Sequence, residues 1–211
     1  MKFSFSALLA VTLCCVLVTT GCSASWINVA LNDLPVLTEM ALNIDSIVGA
    51  LQSGQQVDPS DAAAIQNLSA EASKDLQLLQ AAYNQYKSTP TPTLLAKINA
   101  SAAALTTNLP ALLTASHIKD SVLATRVSAA VELIVSTVET FAALIPNSST
   151  TARAAKNLKV PNAKELRDRW NKEVVGPSGD EHLDKVLPGF RLQAHHSSFG
   201  DVLGTWFQTG R

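Results

Sequence analysis

The chain has 211 residues, 16 basic and 17 acidic side chains, a net charge of −1 and 47% hydrophobic residues. That length suffices for one domain with a substantial core. The balanced charge, with no dense Lys/Arg stripe interleaved with aromatics, excludes a nucleic-acid footprint.

The first stretch is the most informative. Lys2 opens the chain, an apolar run extends from Ala7 to Val18, and Thr19-Thr20-Gly21-Cys22 follows, with no acidic residue before Asp33. About a dozen apolar residues fit the core of a signal peptide and fall short of the roughly 20 needed to span a bilayer. Leu17 to Cys22 resembles the lipobox of bacterial lipoproteins, although Thr19 stands where that family usually has Leu. The resemblance implies cleavage before Cys22, a diacylglycerol on its thiol and an acylated amine. Residues 1–21 are then a signal peptide and the mature chain hangs from a membrane through Cys22. The same resemblance removes Cys14 and Cys15 with the leader and blocks Cys22, which leaves no thiol for a disulfide, a metal or catalysis. Ser23 in place of an Asp favours the periplasmic face of the outer membrane in Gram-negative members. The alternative is ordinary secretion, with cleavage after Ala24.

Residues 22–29 read as a membrane-proximal spacer, with Trp26 and Ile27 either at the interface or capping the fold. The region 30–146 reads as four helices. The first spans about Ala30 to Leu51, with Leu34, Leu37, Ala41, Ile44, Val48 and Leu51 at spacings of three and four, which fall on one helical face. Asp33 and Pro35 suit its start, Pro35 would instead kink a helix that already began near Trp26, and Ser53-Gly54 suits its end. The second opens on Asp58, Pro59 and Asp61 and carries Ile65, Leu68, Ala72, Leu76, Leu79, Tyr83 and Tyr86 on one face. Its tyrosines read as core residues with wet hydroxyls. The third opens on Thr91-Pro92, continues through Leu95, Ile98, Ala102, Leu105 and Leu109, and stops or kinks at Pro110. The fourth runs from about His117 to Leu144 after a Ser116 cap, with Leu123, Val127, Ala130, Ile134, Val138 and Phe141 as its stripe. Its broad apolar surface predicts the most buried of the four helices. Pro146 ends it.

Short connections between four such stripes predict an all-α fold, an antiparallel up-down four-helix bundle. A linker at 147–160 and a small helical and irregular C-terminal segment at 161–211 follow. There Asn162 and Glu165 form a capping-box pattern ahead of Leu166, Trp170 and Val174. Asp180 to Leu187 reads as one or two more turns, ended by Pro188-Gly189. Charge is uneven: residues 22–150 carry ten acidic and five basic side chains, and residues 151–211 seven and ten. The tail holds Phe190, Phe199, Trp206 and Phe207, too apolar to remain free, and these are the candidate partner-binding residues.

Chemistry is sparse. His195-His196, with Asp201 or His182, lacks the spacing of a metal site. Ser148 to Thr151 is a polar run without a nucleophile motif, and the Asp180-Glu181 pair lies where nothing raises a carboxyl pKa. No catalytic residue, cofactor or metal is expected. The chain reads as a lipid-anchored structural or adaptor protein of the bacterial cell envelope, with the membrane and an envelope protein as its partners. The alternative is a helical bundle that binds a small ligand or lipid, and an enzyme comes third.

Overall fold

Helix starts in this chain are set by side chains that accept from the free N–H groups of a first turn. Asp58 accepts from the Ser60 N–H at 2.8 Å, Thr91 from Leu94, Asp120 from Val122 and Leu123, Asn162 from Glu165, and Asp180 from His182 and Leu183. Pro59 and Pro92 each occupy a first turn, where a missing N–H costs nothing. The computed structural model describes residues 5–54, 57–145 and 159–193, with side chains from Ser25 onward. Its helices are α1 (Phe5–Ser53), α2 (Pro59–Ser88), α3 (Pro92–Ser116), α4 (Ser121–Ala143), α5 (Ala163–Glu173) and α6 (Glu181–Val186), and a 3₁₀ turn covers Leu187–Phe190. Among the described residues there is no strand.

The helices α1 to α4 pack in ring order, each on the next and α4 back on α1. The direction of packing follows from side chains. Trp26 of α1 meets Tyr83 and Tyr86 near the end of α2, with ring centroids 5.6 and 5.9 Å apart. At the other end, Ile44 and Val48 of α1 share a small apolar space with Leu123 and Val127 near the start of α4. This is the all-α antiparallel bundle, and every residue named in the first and fourth stripes is buried. In α2 the stripe is buried from Ile65 to Tyr83 while Tyr86 is half-buried; in α3 it is buried from Ile98 to Leu109 while Leu95 is half-buried.

Five expectations about helix ends and burial need correction. The first helix does not start at Asp33, because α1 runs through it, and residues 25–29 of the expected spacer are helical with Trp26 and Ile27 in the core. Pro35 lies inside α1 and Pro110 inside α3, both exposed. Each proline costs its helix one i→i−4 hydrogen bond and crowds the carbonyl four residues back, and the buried stripe that continues on both sides holds the helix across it. Helix α3 therefore continues to Ser116 and ends at His117, whose φ of 46° is left-handed, and Asp120 rather than Ser116 caps α4. The most deeply engaged helix is α1, not α4, because it touches α2, α4, α5, α6 and the 3₁₀ turn.

The C-terminal segment belongs to the same core. Leu166, Trp170 and Val174 of the expected short helix are buried against α1 and α4, as are Val175, Leu183, Leu187 and Leu192. The α-helical turns expected over Asp180 to Leu187 are α6, which ends at Val186 ahead of Pro188-Gly189, and a 3₁₀ turn carries the chain on to Phe190. The expected linker, 147–160, lies outside the described residues except for Lys159 and Val160.

By length and mean hydropathy, Ser25–Ser53 and Ser121–Ala143 could each cross a membrane, although the sequence reading assigned no span. About half of each such stretch, 50% and 44%, is buried inside the bundle.

Candidate functional site

Cys22 lies on α1, four residues before the buried Trp26. Four helical residues rise about 6 Å. An acyl chain on Cys22 would therefore join the bundle with almost no intervening spacer. The side chain of Cys22 itself lies outside the described residues. So do three of the four candidate tail residues, Phe199, Trp206 and Phe207, together with His195, His196 and Asp201. Phe190 is half-buried against the core, and its carbonyl accepts from Trp170 Nε1 at 3.0 Å. The neighbouring Leu192 is held through both backbone groups by one side chain: its N–H donates to Asn171 Oδ1 at 2.8 Å, and its carbonyl accepts from Nδ2 at 2.9 Å.

A polar groove of about 460 Å³ lies between α4 and α5. Ser136, Thr137 and Thr140 line one wall and Lys159, Glu165 and Asp168 the other. Each hydroxyl already donates to a carbonyl of its own helix. The charged wall is paired internally, Lys159 with Glu165 at 3.2 Å and Asp168 with Lys164 at 2.7 Å. The groove thus presents no hydroxyl aimed at a base and no carboxylate held apart from a cation.

Buried polar groups instead fasten one helix to another. Asp33 sits on the apolar stripe between Ala30 and Leu37 and is buried. Burial pushes its carboxyl up to about 6, against the opposing pull of the Ala163 N–H and the Arg167 guanidinium. Its carboxylate thus accepts at the first turn of α5, where a negative group also suits the helix dipole. At the other end of α5, Arg126 of α4 donates to the Glu173 carbonyl at 2.8 Å and to the Pro177 carbonyl at 2.6 Å. A carboxylate on one bundle helix and a guanidinium on another thereby clamp opposite ends of α5. Asp61 does similar work on the α3–α4 turn, accepting from the Lys119 and Asp120 N–H groups at 2.8 and 3.3 Å. In the sequence Asp33 and Asp61 show only as helix-start signals. An acidic residue placed on an apolar stripe was the available sign that Asp33 had a partner.

Tyr83 corrects a further expectation. Its hydroxyl is not wet: it is buried and has no hydrogen-bond partner, and burial pushes the phenol up. Trp26 Nε1 at the same aromatic cluster is likewise unpartnered. His117 is exposed on its turn, and His182 is exposed at the start of α6. Among the described residues no three His, Cys, Asp or Glu side chains converge on one point. The apolar space between α1, α4 and the C-terminal segment measures about 10 Å³, at the lower limit for one water and far below the roughly 300–1,000 Å³ of ligand pockets. Comparison with protein-family models, with curated proteins and with solved structures finds no match to this chain.

Proposed function

We propose that this is a lipid-anchored protein of the bacterial cell envelope, tethered through acylated Cys22, whose helical bundle serves as a structural or adaptor module. The observation that carries the reading is the N-terminal stretch: Lys2, the apolar run from Ala7 to Val18, and Thr20-Gly21-Cys22. Its continuity in α1 with the buried Trp26 supports a short, direct connection between tether and bundle. More than one acyl chain makes such an anchor stable, at about 0.8 kcal/mol per buried methylene. A protein so placed can work through its surface alone, by holding a partner near the membrane. The space of about 10 Å³ inside the bundle gives the ligand-carrier alternative no support.

Two measurements test this. Intact-mass analysis of the exported protein should find Cys22 as the first residue with a diacylglycerol and an added acyl group, and labelled palmitate should be incorporated by the native chain but not by Cys22→Ser. A mature chain beginning at Ser25, or one retaining residue 1, overturns the tether. For the adaptor role, a chain truncated after residue 193 is the informative variant, because it leaves the docked Phe190 and Leu192 in place. Cross-linking from membranes should recover a specific partner with the full chain and lose it on truncation. Unchanged recovery would assign binding to another surface.

A further inference from the structure

Charge in this bundle is sorted along its axis, and the sorting has the sense of a membrane-facing end. The cluster of Trp26 with Tyr83 and Tyr86 sets the end of α2 and the start of α3 level with the bundle's attachment to residues 5–24 of α1. At that end Lys87 and Lys97 are exposed, and neither forms an ion pair among the described residues. Lys159, beside Thr140 near the end of α4, is paired with Glu165 and stands near the exposed Glu139, so the net positive charge of this end is that of Lys87 and Lys97. The opposite end is acidic. Leu51, Gly54, Asp120 and Asp180 line one depression there. Around it stand Asp58, Asp61, Asp120, Asp180, Glu181 and Asp184, against Lys119, Arg126 and Lys185.

The geometry points to an upright stance on an anionic bilayer: the lysine end of the bundle contacts phospholipid headgroups, and the acidic end is held away from them. This inference rests on the N-terminal tether proposed above. The segment from Ser25 to Ser53 is about 42 Å long, and screening confines the surface potential to about 8 Å at physiological ionic strength. An upright bundle therefore holds Lys87 and Lys97 within the field and the carboxylates around Asp120 and Asp180 outside it. A bundle lying flat brings the acidic end against like charge. Each lysine near an anionic surface favours association about five-fold.

The test uses the full, processed protein reconstituted into two kinds of vesicle, pure phosphatidylcholine and phosphatidylcholine mixed with phosphatidylglycerol. A dye is attached at Ser88→Cys or at Ser53→Cys, both exposed, and a quencher is carried on the headgroups. The expected result is stronger quenching at position 88 than at 53, with a contrast that is larger in anionic vesicles. High salt should shrink that contrast, and so should the combined variant K87Q/K97Q. The same contrast in both vesicles, or no change in the double variant, overturns the headgroup contact while leaving the tether standing. A protein that fails to float with either vesicle overturns the tether, and the stance with it.

Discussion

Buried polar atoms in this protein separate into those that fasten elements and those that have no partner. Asp33 belongs to the first kind, and its pH behaviour follows from its burial. Its carboxyl titrates near 6 in the folded chain against an ordinary 3.8, so the folded state holds that proton more tightly than the unfolded chain. Stability from this group is therefore complete below about 4 and falls as pH rises to about 6, by roughly 3 kcal/mol. Urea titrations of wild type and Asp33→Asn across that window should show a smaller decline in the variant, which keeps an acceptor for the Ala163 N–H but has no charge to bury. Tyr83 belongs to the second kind. Its hydroxyl is buried without a partner, so Tyr83→Phe should unfold no earlier than wild type and raise stability by about 1 kcal/mol. A fall in the thermal midpoint would mean that the hydroxyl has a partner after all. Gly176 is constrained in a different way: a Cβ there would overlap the Lys172 carbonyl oxygen. Gly176→Ala must move backbone and should cost more than Gly179→Ala, where a φ of 81° with open space around it costs roughly 1–2 kcal/mol.

At the scale of elements, α5 has only 11 residues and would be marginal alone. It persists because its apolar face is buried and its two ends are held. Trp170 fills the space against the bundle and anchors the Phe190 carbonyl. Trp170→Ala should cost roughly 3–5 kcal/mol in urea unfolding. Arg126→Ala removes two charged hydrogen bonds from the carbonyls that end α5, and at a partly exposed site the loss should be roughly 1–2 kcal/mol. Hydrogen exchange should locate the second effect at residues 173–179 and leave α2 and α3 protected. By contrast, the exposed i,i+4 pairs of Lys164 with Asp168 and Lys185 with Glu181 are screened by solvent and contribute little to stability.

At the scale of the whole molecule, residues 25–54, 57–145 and 159–193 share one continuous core. Unfolding should therefore be a single transition followed equally by the Trp170 environment and by helical signal. Deletion from residue 190 removes Leu192 and frees both bonding groups of Asn171. Such a chain should be less stable by roughly 2–4 kcal/mol than one ending at 193, which keeps that buried side chain and its hydrogen bonds. Equal stability of the two truncations would show that the docked turn adds nothing to the core.

The helical class, the four stripes, their pairing order and most of the caps were legible in the sequence. Helical periodicity and first-turn chemistry are local, and Leu34 to Leu51 or Asp58-Pro59 carry them in a few consecutive residues. The helix ends were less legible where proline intervened. Whether Pro35 or Pro110 stops a helix depends on whether packing of the turns on both sides offsets the lost hydrogen bond, and that is a tertiary fact. The roles of Asp33, Asp61 and Arg126 were decided only in three dimensions, because each meets a backbone group far along the chain that no sequence spacing announces. The same holds for the segment after residue 159. Its apolar residues were visible in the sequence, but the face they cover exists only once α1 and α4 lie side by side.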